Sequence, residues 1–516
     1  MIQLCILLFF LIHDKSILGI EEPTYRQIPY DYALSQIHMV PLLQLKEQAV
    51  ENLSNYSKAL ENRLKNVELG IKQLEELLEP GDSLKPFKLF KLARHLYFDW
   101  KKWFRFLKEQ IGSKEILKAQ RLRPRMPSVT DYKEALYAIY RLQTTYDLDP
   151  AEMSEGLLRG KQYRCKKWSA LECLMVGTTY YLDENFENAE IWFKLAQKKY
   201  YQHSIPKQFA VLGIPYKFIL ILLMKSARSS GRYKTALNYA KKGFNLELNT
   251  KYWEDQMAQI EALIKNPEVI KPFEPFKYLF KPACRKKYPH VHLKCQYLKA
   301  SPFLKLAPIK MEKVFLDPPM SIYHDLINEK EISLLKNLST PYLKRSELYS
   351  EYHGVFEDFS NLRTCKTMRL DDTNHPLLEK LNNRIVDATG LSVKDSEKLQ
   401  ISNYGIGGHL YEHQDFTTTT KIDFWNSGNR VITALFYLSD VEQGGDTVFP
   451  HLNLKVPAQK GSLMVWYNLL SNGTTDSRVL HASCPVLMGN KWIATKWLRE
   501  KAQTFIRKCP KDFQNK

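Results

Sequence analysis

One stretch restricts the fold more than any other. It is Leu399-Gln-Ile-Ser-Asn-Tyr-Gly-Ile-Gly-Gly-His-Leu-Tyr-Glu-His-Gln-Asp-Phe416, answered far downstream by Arg478-Val-Leu-His-Ala-Ser-Cys-Pro485. His413-Gln414-Asp415 is an H-x-D pair. On an extended strand residues two apart point to one face, so an imidazole and a carboxylate can reach a common point. For His481 to join them, two strands distant in sequence must face each other. The short alternating runs after Leu399, separated by Gly-rich turns, predict an architecture that does this: a double-stranded β-helix, or jelly roll.

Two His and one carboxylate with open positions are the ligand set of a non-haem Fe(II) oxygenase. An H-x-D pair alone recurs by chance, and a hydrogen-bonded strand histidine is the ordinary alternative for His413. Lys491, in Gly-Asn-Lys-Trp-Ile-Ala-Thr-Lys-Trp497, adds a cation that could hold the distal carboxylate of a keto-acid co-substrate. The phrases ISNYGIGG, HQD, GNRVITALFYLSDVEQGGDTVFP, WYNL and HASCPVLMGNKWIATKWL cover about the last quarter of the chain. In these phrases the sequence resembles the α-subunit of collagen prolyl 4-hydroxylase, an Fe(II)- and 2-oxoglutarate-dependent dioxygenase family.

The resemblance implies hydroxylation of peptidyl proline to 4-hydroxyproline in procollagen-like secretory chains, coupled to oxidative decarboxylation of 2-oxoglutarate to succinate. Fe(II), 2-oxoglutarate, O2 and L-ascorbate are the implied cofactors. By this resemblance His413, Asp415 and His481 hold the metal and Lys491 the co-substrate, assisted by Tyr404 and Thr447, while Arg430 and Trp497 touch the peptide. A strand hydroxyl bonded to backbone is the alternative for Tyr404 and Thr447, and a surface salt bridge for Arg430. The motif also departs from the family, whose substrate-facing tyrosine stands three residues before the first His. Here that position is Leu410, and the tyrosine is Tyr411. Faces alternate along a strand, so Tyr411 is expected on the metal side unless a bulge restores it. His409 reads as a loop residue, not a fourth ligand.

Composition sets the wider frame. A chain of 516 residues with 44% hydrophobic and 25% charged content is globular and long enough for several cores. Met1 to Ile12 is an apolar run too short for a stable membrane anchor and suits a signal peptide, taken as 1–19. No later apolar run is long enough to span a bilayer, so a soluble chain without a membrane anchor is expected. Sequons at Asn52, Asn55, Asn337 and Asn472 permit N-glycosylation in the secretory pathway. The terminus Asp512-Phe-Gln-Asn-Lys516 carries no KDEL-type signal. The expected location is the endoplasmic reticulum lumen, with something else providing retention. The family's α2β2 tetramer with protein disulfide isomerase as β-subunit fits that picture.

Cys5 leaves with the signal, and an odd number of the eight cysteines remains. The resemblance implies that Cys284 pairs with Cys295 and Cys484 with Cys509. A zinc site using Cys284, His290, His292 and Cys295 is a rival reading. Cys165, Cys173 and Cys365 stay unassigned. The net charge of +19 comes with no recognised nucleic-acid fold, so it reads as a solvated basic surface that would favour acidic peptides or partners rather than nucleic acid.

From Leu42 to Leu78 apolar residues recur every three or four positions, a helical seam that Pro80-Gly81-Asp82 ends. A second helical stretch runs from Phe87 to Leu107. The family uses this region, 20–120, for self-association, and a helical hairpin burying its own stripe is the alternative. After an apparent linker at 121–127, residues 128–266 form a tetratricopeptide-like region with Gly177, Tyr180, Ala189, Phe193 and Ala196 in a first unit. A weaker copy follows at Ala236, Ala240 and Gly243, with a loop insertion around Ser204 to Pro215. Tyr181, Phe186 and Trp192 are candidates for stacking on a proline-rich peptide. Where the family carries tyrosines in the second unit, this chain has Leu222, Lys225 and Arg228, which points to a different or more acidic sequence preference than long proline-rich peptides. Residues 267–317 read as a connector, and 318–516 as the catalytic domain with its core at about 397–500. The expected class is therefore a multidomain α+β protein: helical and tetratricopeptide-like domains followed by a catalytic jelly roll. Two rival functions are a non-catalytic binder of proline-rich peptides in the endoplasmic reticulum and a related dioxygenase with a non-collagen peptide substrate.

Overall fold

The computed structural model describes residues 32–75, 86–162, 167–202, 216–246, 251–269, 278–286, 294–346, 348–350, 355–357, 362–417 and 427–507. The signal segment, the Pro80–Asp82 stop, the loop insertion near 204–215, His290, His292, Cys165 and Cys509 lie outside them. Residues 37–128 form one compact unit, and 31–36 with 129–516 form another.

In the first unit the seam is a single helix, α1 (Gln36–Glu75). The aromatic stretch is α2 (Pro86–Arg94) and α3 (Trp100–Lys108), joined by a π-turn at His95–Asp99. A fourth helix, α4 (Ser113–Leu122), runs into a 3-10 turn at Arg123–Arg125, so the expected linker is largely helical. Gly112 presses on the Tyr56 ring and the Asn52 amide donates to the Glu115 carbonyl at 2.8 Å. Asn52 is 6% exposed, so its sequon cannot carry a glycan in this fold, a correction to the sequence reading. Asn55, and in the second unit Asn337 and Asn472, are exposed.

The second unit opens with α5 (Val129–Tyr146), followed by two helix pairs. The first is α6 (Ala170–Leu182) with α7 (Phe186–Gln202), and the second α8 (Tyr216–Ser229) with α9 (Tyr233–Leu246). A closing helix, α10 (Lys251–Lys265), completes the array. The small residues do what their spacing predicts. A Cβ on Gly177 would stand 2.6 Å from the Phe193 ring, and one on Gly243 would enter the Trp253 indole. Trp192 is a correction, because it is fully buried and its indole N–H donates to Gln143 at 2.9 Å. It is core, not a peptide-facing ring. Tyr181 and Phe186 are half-buried with ring centroids 5.2 Å apart.

The segment expected as a connector is mostly built into the unit. A short helix, α11 (Phe280–Arg285), packs against α5, and β1 (Cys295–Leu298) and β2 (Ile309–Phe315) pair at the edge of the main sheet. That sheet has nine strands in the order β1-β2-β3-β11-β8-β13-β6-β5-β4. Its remaining members are β3 (Met320–His324), β4 (Lys344–Arg345), β5 (Cys365–Leu370), β6 (Leu399–Tyr404), β8 (Arg430–Tyr437), β11 (Leu463–Tyr467) and β13 (Trp492–Arg499). A four-stranded sheet, β7-β12-β9-β10, holds β7 (Leu410–His413), β9 (Thr447–Phe449), β10 (Leu454–Val456) and β12 (His481–Ser483). The chain alternates between the two sheets as it runs, which is the jelly-roll pattern. A further helix, α12 (Pro376–Thr389), buries Leu377, Leu378, Leu381 and Ile385.

The core of the repeats does not stop at the repeats. Phe280, Ala283 and Cys284 of α11 belong to the same buried cluster as Trp192, Phe193 and Leu223, and so do Val448 and Ala482 of the small sheet and Cys484 just past it. A disulfide joins Cys284 to Cys484 with Cα atoms 5.8 Å apart, a separation ordinary for such a bond. This corrects both expected pairings and removes Cys284 as a zinc ligand. Cys295 is exposed and unpaired on β1, while Cys173 and Cys365 are buried thiols.

Candidate metal centre

His413 ends β7 and His481 opens β12, and these strands are neighbours, with the two residues directly opposite each other. Their ring centroids are 4.2 Å apart. Each ring is held by its own chain: His413 Nδ1 donates to the Tyr411 carbonyl at 2.8 Å and His481 Nδ1 to the Val479 carbonyl at 3.0 Å. A carbonyl can only accept, so both protons sit on Nδ1 and both Nε2 lone pairs are left to bind. Asp415 closes the triangle, its oxygens 3.6 Å from His413 Nε2 and 3.8 Å from His481 Nε2. The ligand atoms of the three residues lie within 4.8 Å of one another, separations that a single cation bonded to all three can bridge. They form the only such cluster among the described residues.

The electrostatics fit a divalent cation. Burial pushes the His413 imidazole down to about 3, with His481 adding to the effect, so His413 is neutral and able to ligate. Burial alone would raise Asp415, but His481, His413, Arg430 and the Thr433 hydroxyl outweigh it and keep the carboxylate ionised. Thr433 on β8 donates to Asp415 Oδ2 at 2.6 Å and itself accepts from the Asn468 amide at 3.0 Å. Partners of this kind orient metal-binding carboxylates. Trp466 and Phe449, both fully buried, pack against the His481 ring.

A cavity of about 320 Å³ opens from this triangle. Lys491, 1% exposed, also lines it, and its ammonium donates to the Gly445 carbonyl at 2.6 Å and to Ser483 Oγ at 2.7 Å. Burial pushes this lysine down to about 8, with Asp446 partly offsetting the effect. The Tyr404 ring lies 5.1 Å from the ammonium, and Thr447 shares a 2.8 Å hydrogen bond with the Tyr437 hydroxyl. Further out, Arg430 stacks 4.0 Å over Trp497 while Glu397 grips it at 2.5 and 2.8 Å. Arg430 is thus both salt-bridged and part of the cavity wall. Tyr181, Phe186 and Trp192 do not line this cavity.

The Leu410 departure resolves through a bulge. Between Leu410 and His413 the register against β12 slips, because three steps on β7 answer two on its partner. Leu410 therefore lines the cavity together with His413, and Tyr411 turns away to stack on Tyr278 with centroids 4.5 Å apart. His409 is buried, bonded to the Thr364 hydroxyl at 2.8 Å, and takes no part in the cavity. Sequence reasoning missed Thr433, Ser483 and the wall residues Arg363, Arg369 and Gln400. Strand alternation outward from Tyr404 and Trp497 would have found Gln400 and Thr495, but it carries no sign of their roles.

Comparison with known proteins now adds the lineage. Residues 35–160 match the N-terminal region of the prolyl 4-hydroxylase α-subunit, and residues 399–499 match the 2OG-Fe(II) oxygenase superfamily. The Caenorhabditis elegans prolyl 4-hydroxylase subunit alpha-2 is 31% identical over 84% of this chain and 84% of its own length. The chain belongs to the prolyl 4-hydroxylase α-subunit family. The Homo sapiens subunit alpha-1 is 30% identical over 91% of this chain and 94% of the relative. A solved viral collagen prolyl hydroxylase from Paramecium bursaria Chlorella virus-1 aligns with 35% of the chain at 21% identity and a TM-score of 0.29. As a member of this family the chain carries a dioxygenase domain of the kind that uses Fe(II), 2-oxoglutarate and O2. No helix among the described residues is long and apolar enough to cross a membrane.

Proposed function

We propose that this chain is a procollagen-proline 4-dioxygenase, converting peptidyl proline to 4-hydroxyproline. The observation that carries the reading is that His413, Asp415 and His481 converge in a cavity also lined by the buried ammonium of Lys491. When bound there, Fe(II) supplies O2 activation with 2-oxoglutarate: one oxygen atom goes to the proline ring and the other to the succinate left after loss of CO2.

The chain's own residues supply the geometry. The Tyr411 and Val479 carbonyls fix the two imidazoles in the tautomer that offers Nε2. Asp415 stays ionised and is held by Thr433. An ammonium has three donors, and Lys491 spends two on Gly445 and Ser483, which leaves one for the distal carboxylate of the co-substrate. Tyr404 and Thr447 flank that position. Trp466, Leu435 and Ile493 keep the walls apolar and exclude water. Arg430 and Trp497 form the peptide side of the mouth. We also assign residues 128–266 to peptide binding and 20–120 to self-association. The reading extends to the endoplasmic reticulum lumen, protein disulfide isomerase as partner in an α2β2 tetramer, and ascorbate as the reductant that keeps iron ferrous.

The test measures succinate released from 2-oxoglutarate with Fe(II), ascorbate and a Pro-Pro-Gly peptide, comparing wild type with His481→Ala. A drop beyond about 100-fold, more than the disturbance of an outer partner causes, is expected. Equal turnover in the two proteins removes the reading. A purely peptide-binding role is disfavoured, since an inert domain has no need of all three ligands and the lysine at working distances.

A further inference from the structure

We infer that the preferred substrate carries carboxylate side chains beside its prolines, read by Arg369 at the cavity mouth and by Lys225 and Arg228 in the repeat region. This rests on the hydroxylase reading above and names the peptide class that site would take.

The charges lining the cavity are Lys491, Arg430, Arg363 and Arg369 against the single carboxylate of Asp415. Lys491 is assigned to the co-substrate. Arg430 is answered by Glu397, which also grips Arg499. Arg363 is held by neutral groups: the Cys365 sulfur at 3.2 Å, Gln400 Oε1 at 3.0 Å and Ser402 Oγ at 3.4 Å. Arg369, on β5 and paired in register with Gln400, is exposed and lines the same cavity. Arg363 feels only the Asp415 carboxylate, which belongs to the metal triangle, and no carboxylate pairs with Arg369 among the described residues. The nearby Asp371 and Asp372 are already engaged by Lys398 and Lys496. Once iron and the doubly charged co-substrate are seated, the rim therefore keeps an uncompensated positive field, which favours an anionic chain on approach.

The repeat region repeats the pattern with different residues. Lys225 and Arg228 lie one turn apart on α8, both half-buried, and among the described residues Arg228 donates only to the neutral Gln259 side chain at 3.1 Å. Tyr252 of α10 is near enough to feel both Tyr181 and Arg228, so aromatic rings and a cation share one face with Phe186 beside Tyr181. Rings stack on prolines, and cations without carboxylate partners pair with acidic side chains between them. Leu222, by contrast, is buried and takes no part.

The experiment uses the full chain, purified with whatever subunit it needs for solubility, and single-stranded five-repeat peptides of Glu-Pro-Gly, Gln-Pro-Gly and Lys-Pro-Gly. Binding is read by fluorescence anisotropy and turnover by the mass gain of hydroxylation. Wild type should favour the Glu over the Gln peptide by roughly fivefold or more, the upper end for one exposed ion pair, and the Lys peptide should come last. The preference should shrink as salt is raised. Arg369→Glu should collapse the Glu/Gln ratio in turnover, and Lys225→Glu with Arg228→Glu the ratio in binding. Arg369→Lys should retain most of the ratio, which separates lost charge from a damaged fold. Equal handling of Glu and Gln peptides by wild type overturns the inference, as does a ratio that survives both charge reversals. If no peptide is hydroxylated while the binding preference and its reversal persist, the hydroxylase reading falls and the charge preference stands.

Discussion

Thr433 and Lys491 show how much of the site depends on side chains that never touch a metal. Thr433→Val keeps the volume but removes the hydroxyl that steadies Asp415 Oδ2. Iron affinity should weaken by about 10–100-fold, measured by Fe(II) titration under anaerobic conditions. Lys491 makes a separate prediction through pH. Its folded value is lowered to about 8 by burial, so the ammonium is present below that pH and lost above it. In consequence kcat/KM for 2-oxoglutarate should fall as pH passes about 8. Lys491→Met should flatten that limb and raise KM for 2-oxoglutarate more than KM for the peptide. The meeting of His413, Asp415 and His481 was legible in the sequence, although Asp415 lies in a bend just past β7 and not on the strand that the H-x-D argument assumed. The orientation of Tyr411 was not, because counting by twos fails wherever one strand of a ladder takes an extra residue.

At the level of elements, α11 ties the helices to the small sheet. Phe280 is fully buried between them, and Phe280→Ala should cost about 3–5 kcal/mol of unfolding free energy by denaturant titration. Phe303, 61% exposed, is the control, and its alanine variant should stay within about 0.5 kcal/mol of wild type. The helices were readable from apolar spacing, and the close crossings from Gly177 and Gly243. Trp192 misled because an aromatic on a helix covered on two sides does not announce which side it serves. The cysteine pairing misled for a different reason: which thiols meet is settled through space, and Cys284 and Cys484 are 200 residues apart in sequence. Peptide mapping under non-reducing conditions should recover that pair, and Cys484→Ala should lower stability by about 2–4 kcal/mol.

On the scale of the whole molecule, residues 37–128 stand as a unit whose surface is unusually apolar. Phe87, Phe90, Tyr97, Phe98 and Phe104 are each at least 57% exposed, as is Leu53 of α1. Exposed patches of this kind mark surfaces that meet another chain. Replacing Phe90 and Phe98 by serine should lower the sedimentation coefficient of the assembled protein if this unit drives self-association. The buried cluster that passes from Trp192 through Phe280 to Val448 and Ala482 has a practical corollary. There is no natural place to cut the iron-binding half away from the helices. A fragment beginning near residue 318 would lay bare the oily underside of the strand that bears His481, and should arrive sticky, dye-binding and poor at holding metal. Whoever wishes to study the chemistry by itself will need to bring the helices along.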